Sequence, residues 1–145
     1  RDVERSRGLG DVYKRQKQEI TSEYAFDERQ TNYYTDAGRY LGLLSKGNNK
    51  DGEIYFFLSA LGNYIMTLDY RSRQLAIAKQ ILEHQVFNQT LKIHLTCGEM
   101  PDRQAVMQIM KNSNLYNLEA DSTYYRRAST VIGWVNWILD TIDDL

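Results

Sequence analysis

The sequence is poor in the residues that hold a protein together by covalent or metal bonds. Cys97 is the only cysteine in 145 residues, so an internal disulfide is excluded. The two histidines, His84 and His94, have spacings that match no common zinc motif. Such a composition is typical of a reducing compartment, and we expect a cytoplasmic protein without a metal or cofactor.

Recognisable catalytic patterns are also missing. Gly47, Gly52 and Gly62 do not form a phosphate-binding loop. A nuclease centre of the restriction type needs an acid-x-Lys pair on a strand near a further acidic residue, and the clearest strand, residues 53–58, lacks that lysine. The sequence therefore predicts a protein that is not an enzyme.

Long apolar runs are absent, and none approaches the roughly 20 residues of a membrane-spanning helix. Proline occurs once, while apolar residues make up 42% of the chain. We therefore expect no membrane segment, and a mainly helical protein with one or two small packed domains.

The first sixteen residues have a separate interpretation. The run DVYKRQ at 11–16 is the translation of a transposon end used in preparing sequencing libraries. We interpret residues 1–16 as translated adapter on a metagenomic fragment, and expect them to be disordered. The alternative is a basic N-terminal arm that grips DNA.

A basic surplus is lacking as well. Beyond residue 16 the chain holds 13 Lys or Arg and 16 Asp or Glu, a net charge of −3. Proteins that bind nucleic acid usually carry excess positive charge, because phosphate neutralisation supplies much of the affinity. Any such binding must therefore depend on local groups.

One stretch, residues 27–44, predicts a helix that the rest of the chain is built around. Ala37, Leu41 and Leu44 recur at i, i+4 and i+7, which is the spacing of one buried stripe. Asp27 and Gln30 resemble a capping box at its start. A shorter helix and a tight turn at 25–26 precede it, which is the outline of a helix-turn-helix. Polar side chains away from the stripe are the candidate DNA contacts: Arg29, Gln30, Asn32, Tyr33 and Arg39.

A hairpin is predicted directly after this helix. Residues 42–45 and 53–58 are β-prone, and residues 46–52 form a turn-rich loop between them. Helix and hairpin together favour a winged helix, with Lys46 and Lys50 near phosphate at the wing tip. A plain surface hairpin is the alternative. In a winged helix of this kind, the first helix would lie upstream of residue 17.

The second half of the chain predicts further helices over 72–84, up to about 95, 101–112 and 122–139. In the last of these, Ala128, Val131, Val135 and Ile138 form the inner stripe, while Thr123, Arg126, Arg127 and Thr130 face outward as candidate DNA contacts. Residues 33–44 align with 124–135 without a gap, which places Ala37 opposite Ala128 and suggests a structural repeat.

Aromatic residues allow two interpretations. Trp134 and Trp137, at i and i+3, either pack on neighbouring helices or form a patch for a partner. In the pairs Tyr33–Tyr34 and Tyr124–Tyr125, we expect one ring in the core and the other near sugar-phosphate.

A family resemblance rests on three runs: RQTNYYTDAGRYLGLL at 29–44, IYFFLSALG at 54–62 and STYYRRASTVIGWVNWIL at 122–139. Together they resemble winged-helix domains of transcriptional regulators and of restriction-modification nucleases in phage defence. The resemblance implies binding of double-stranded DNA.

The combined prediction is a mainly α protein with a small β-hairpin, of winged helix-turn-helix type with two helix-turn-helix-like halves, residues 17–70 and 71–145. It would bind DNA without catalysis, and either target a defence nuclease or regulate transcription. The alternative is a protein–protein interaction or dimerisation module, with a nuclease domain or a second copy as partner.

Overall fold

The computed structural model describes residues 15–23, 28–113 and 120–144. These residues are mainly helical and include a small antiparallel sheet, which confirms the coarse prediction. The chain divides into two compact units between Asp69 and Tyr70, called here the N-terminal and C-terminal units. The sequence placed this division one residue later.

Three strands and three helices form the described part of the N-terminal unit. Their order along the chain is β1 (Arg15–Gln16), α1 (Lys17–Glu23), α2 (Glu28–Tyr40), β2 (Leu44–Asn48), β3 (Ile54–Leu58) and α3 (Ala60–Met66). The sheet is antiparallel with the order β1-β3-β2. Strand β1 therefore pairs with β3, the second strand of the hairpin.

Strand β1 corrects one expectation. Residues 1–16 were expected to be disordered, but Arg15 pairs with Phe56 and Gln16 with Tyr55. Backbone pairing along a sheet edge needs only an extended segment, so the side-chain pattern did not reveal it. The Gln16 N–H also donates to the Glu19 carboxylate at 3.1 Å, at the start of α1. Residues 1–14 lie outside the described residues, and their adapter origin stays a prediction.

The predicted stripe of α2 is only partly confirmed, and threonines form the inner face of the helix. Leu41, just beyond the end of α2, is buried as predicted at 7% exposure, but Ala37 and Leu44 are half-buried. Thr31 and Thr35 are 0% and 4% exposed. The Thr35 hydroxyl donates to the Thr31 carbonyl at 2.8 Å, and the Thr31 and Thr21 hydroxyls lie 2.8 Å apart. Because these hydroxyls have partners, threonine can be buried against α1 at low cost. The capping box at Asp27 and the turn at 25–26 lie outside the described residues.

Helix α2 ends in a motif that directs the chain into the sheet. Gly42 adopts a positive φ of 78°. The Leu43 N–H donates to the Gly38 carbonyl at 2.8 Å, and the Gly42 N–H donates to the Arg39 carbonyl at 3.0 Å. This is a Schellman motif, which needs a residue that tolerates the left-handed conformation, and glycine does so without strain.

The first strand of the hairpin extends further than predicted, to Asn48, and the loop is shorter than predicted. Lys46 lies inside β2, opposite Phe56, and not in the loop. The loop spans 49–53 and is organised by Asn49, whose side-chain oxygen accepts the N–H groups of Asp51 and Glu53 at 3.0 and 2.9 Å. An asparagine that bonds nearby backbone in this way fixes a tight turn.

Helix α3 replaces the simple turn expected at 59–62. Ser59 caps it by accepting the Gly62 N–H at 3.0 Å. Gly62 packs directly against the backbone carbonyl of Leu43, and the Ser59 N–H donates to the same carbonyl at 2.9 Å. The start of α3 is therefore held against the segment that leaves α2.

Four helices form the described part of the C-terminal unit: α4 (Tyr70–Leu82), α5 (Gln85–Cys97), α6 (Arg103–Asn112) and α7 (Asp121–Asp143). Helix α7 packs mainly against α6 and α5. Its predicted inner stripe is confirmed, since every member is at most 4% exposed: Ala128, Val131, Val135 and Ile138.

Helix α6 differs in detail from its prediction. Asp102 caps it by accepting the Ala105 N–H at 2.8 Å, so Pro101 precedes the helix and does not open it. The buried residues are Val106, Met107 and Met110, whereas Ala105 is exposed.

The proposed repeat is not reproduced at its alanines, since Ala128 is fully buried and Ala37 is not. Among the residues that the structure describes, no helix is both long and apolar enough to cross a membrane.

Candidate nucleic-acid interface

The outer face of α2 is the first part of the candidate interface. Every α2 side chain assigned to DNA from the sequence is exposed: Arg29, Gln30, Asn32, Tyr33 and Arg39. They are exposed because Thr31 and Thr35 turn the opposite side of the helix towards α1. The rotated inner face therefore leaves all five at the surface.

Tyrosines occupy much of this face. Tyr33, Tyr34 and Tyr40 are 45%, 51% and 40% exposed, and the rings of Tyr33 and Tyr34 meet edge to face at 5.2 Å. One ring of the Tyr33–Tyr34 pair was expected in the core, and that expectation is wrong. The buried positions one turn apart are threonines, which leave no place for a ring between α1 and α2.

Charged groups on α2 have few partners. Within residues 15–23, 28–113 and 120–144, Arg29 forms no ion pair. Arg39 approaches Asp36 at 3.9 Å, with side chains 43% and 75% exposed. An exposed pair at that distance stabilises little, so both groups remain available to a ligand.

The hairpin supplies two further cations. Lys46 and Lys50 are exposed, and neither is ion-paired within the described ranges. Lys50 lies at the tip beside Asp51, and Glu53 follows at the start of the returning segment. The tip is therefore not a basic surface. Asn49, which shapes it, was missed from the sequence, although the run NKDG is a recognisable turn signal.

Helix α7 carries the candidates of the C-terminal unit. Arg126 and Arg127 are exposed, while Thr123 and Thr130 are half-buried. Among the residues that the structure describes, neither arginine has an ion-pair partner. Neighbouring helical residues point about 100° apart, so the two guanidinium groups leave the helix in different directions.

Two other cations of the C-terminal unit, Arg103 and Lys111, already have partners on α7. Arg103 Nη1 donates to the Tyr125 hydroxyl at 2.6 Å, and its guanidinium lies 5.1 Å from that ring. Lys111 contacts Asp121 at 2.9 Å and lies 5.3 Å from the Tyr124 ring. These contacts were not predicted, because the partners lie 22 and 10 residues apart along the chain. Tyr124 is buried and Tyr125 exposed, as expected for this pair.

The tryptophan patch is not an exposed surface. Trp134 stacks on Phe87 with ring centroids 5.3 Å apart and planes 20° from parallel. Trp137 is half-buried as well. Phe87 is 3% exposed, so Trp134 packs on the core of the C-terminal unit, which is one of the two expected interpretations.

Residues that bind metals do not converge. Over the described ranges, no three His, Cys, Asp or Glu side chains come together as metal ligands. Cys97 is exposed near the end of α5.

Comparison with known families gives one result. Residues 11–143 match the family described as Domain of unknown function (DUF7226). The chain belongs to this family. The DUF7226 match covers both units, and it includes residues 11–16, part of the segment interpreted as adapter. No curated protein and no solved structure matches the chain.

Proposed function

We propose that the N-terminal unit is a winged-helix-type module that binds double-stranded DNA. The supporting observation is the order of its elements: a strand, two helices, then a hairpin whose far strand pairs with the first strand. In a helix-turn-helix, the second helix enters the major groove. In this proposal α2 is that helix and the β2–β3 hairpin is the wing.

Electrostatics make this binding weak and only moderately sensitive to salt. Residues 17–69 contain five Lys or Arg and eight Asp or Glu. The cations without an ion pair in the described part of this unit include Arg29, Lys46 and Lys50. Each phosphate contact contributes about 0.9 to the slope of log K against log salt. Two such contacts, from Lys46 and Lys50, give a slope of about −1.8, well below that of strongly basic DNA-binding proteins.

The C-terminal unit adds a second contact in this proposal. It is balanced, with eight residues of each sign in 70–145, and Arg126 and Arg127 are its exposed arginines on α7. The DNA-bound chain would position a partner activity, such as a restriction nuclease, or act as a regulator. The resemblance described above is the basis for that part of the proposal.

Titration of labelled duplexes by the full chain at several salt concentrations tests the proposal. The double variant Lys46→Gln with Lys50→Gln should bind more weakly and lower the magnitude of the salt slope by about 1.8. Arg126→Gln with Arg127→Gln should lower it by up to the same amount. The matched control, Lys79→Gln with Lys92→Gln, removes equal charge from α4 and α5 and should leave the slope unchanged. An unchanged slope in the hairpin variant contradicts the wing assignment.

A protein partner is the second candidate, and the three exposed tyrosines of α2 favour it. Tyrosine is enriched at protein interfaces, and the net negative charge of residues 17–69 suits a protein ligand better than phosphate. The distinguishing result is a folded full chain that retains no duplex at low salt, yet self-associates. Loss of that association in Tyr33→Ser with Tyr40→Ser would establish this second function in place of the first.

A further inference from the structure

The burial pattern of α2 shows which side chains would meet a groove first. Thr31 and Thr35 are buried, and a Cβ on Gly38 would lie 2.6 Å from the Leu44 side chain, so these three positions define the inward side. With about 100° of rotation per residue, four residues lie within about 50° of the opposite direction. They are called here the crest: Arg29, Tyr33, Asp36 and Tyr40.

The other three α2 residues chosen from the sequence lie further round the helix. Gln30, Asn32 and Arg39 are about 70–110° from the outward direction by the same geometry. They can reach the walls of a groove, where the phosphates lie. The crest faces the groove floor, where the base edges lie.

Asp36 is the unexpected member of the crest. A carboxylate repels phosphate, so it cannot serve general DNA affinity. It is 75% exposed, and its contact with Arg39 at 3.9 Å is too weak to explain its place on the outermost line. On the floor of the major groove, however, a carboxylate has a specific partner, the amino group of cytosine.

Arg29, at the start of α2, supplies the complementary chemistry. Its guanidinium has five donors and no ion pair in the described part of the chain, and arginine binds both O6 and N7 of guanine. Arg29 and Asp36 are seven residues apart, or about 10.5 Å along the helix axis. Base pairs are spaced about 3.4 Å apart, so this distance covers about three steps.

We propose that the crest of α2 selects duplexes with two G·C pairs about three steps apart, Arg29 reading guanine at one and Asp36 reading cytosine at the other. This inference rests on the proposed DNA-binding function. Thymine offers Asp36 only an oxygen acceptor and a methyl group, so it is rejected at that position. Because few phosphate contacts are available, such base contacts contribute a large share of the total binding free energy.

Selection from a pool of duplexes with a randomised centre tests the inference with the full chain. The wild type should enrich guanine and cytosine at two positions three steps apart. Asp36→Asn should change the second preference from cytosine to adenine by about tenfold, because asparagine binds the N6 and N7 groups of adenine. Arg29→Ala should remove the first preference and leave the second.

Asp51→Asn is the matched control, since it removes the same charge from an exposed site on the hairpin tip. It should raise affinity slightly for all sequences without changing base preference. If Asp36→Asn behaves in the same way, Asp36 acts only through its charge, and the inference fails while DNA binding stands. If the folded wild-type chain retains no duplex from the pool, the proposed function and the inference both fail.

Discussion

Gly62 is the position where one added methyl group should damage the N-terminal unit most. A Cβ there would overlap the backbone carbonyl oxygen of Leu43, and would lie 3.2 Å from the Leu58 side chain. The Leu43 carbonyl cannot move away freely, because it accepts the Ser59 N–H at 2.9 Å. The clash therefore falls on a residue whose N–H and carbonyl are both already hydrogen-bonded.

The expected magnitude follows from three terms. Replacing glycine by alanine within a helix stabilises by up to about 1 kcal/mol. Overpacking against a fixed group costs about 1–3 kcal/mol. Loss of the Ser59 hydrogen bond would add about 1 kcal/mol. Gly62→Ala should therefore destabilise by about 1–3 kcal/mol, with sterics outweighing helix propensity.

Gly133→Ala is the matched control. Gly133 also lies within a helix, α7, but it is exposed and a Cβ there meets nothing within 4 Å. This variant should gain about 0.5–1 kcal/mol from propensity alone. Thermal unfolding followed by circular dichroism measures both, since about 1 kcal/mol shifts Tm by about 4–8 °C in a unit of this size. A Gly62→Ala variant as stable as Gly133→Ala would refute the packing of α3 on Leu43.

Two further predictions concern packing and the hairpin tip. Ala128→Leu should destabilise the C-terminal unit by about 1–3 kcal/mol in urea unfolding, because Ala128 is fully buried. Ala37→Leu, at a half-buried site, should change stability by under about 1 kcal/mol. Equal effects would contradict the different burial of the two alanines. Asn49→Ala should lower the free energy of unfolding by about 1 kcal/mol, because the N–H groups of Asp51 and Glu53 lose their acceptor. Asn48→Ala on the adjacent strand is the control and should be nearly neutral. A neutral Asn49→Ala would show that water replaces both hydrogen bonds.

Hydrophobic periodicity correctly predicted a helix face that is formed by apolar side chains. The stripe of α7 from Ala128 to Ile138 is correct because four aliphatic residues at helical spacing have one way to be buried. The same rule was only partly right on α2: it predicted the burial of Leu41 but missed the inner residues Thr31 and Thr35. Their burial depends on hydroxyl partners, one of them on a different helix, and hydropathy alone carries no such information.

Features that depend on backbone hydrogen bonds were also not predicted from the sequence. Strand β1 and the position of Lys46 follow from pairing with β3, which uses peptide groups common to every residue. For the candidate site, the five α2 side chains chosen from the sequence are all exposed, but the sequence wrongly predicted one ring of the Tyr33–Tyr34 pair in the core. It did not separate those facing outward from those on the flanks, because that distinction depends on the inward direction set by Thr31, Thr35 and Gly38.

Leu43 has a consequence for how the N-terminal unit tolerates change. Its N–H is bonded to the end of α2, and its carbonyl accepts from the start of α3 and contacts Gly62. The angle at which α2 meets the hairpin is thus fixed by peptide groups and by two glycines, not by the side chains on the outer face. Substitutions at Arg29, Tyr33 or Asp36 can therefore alter what the helix contacts while the frame that presents it stays the same.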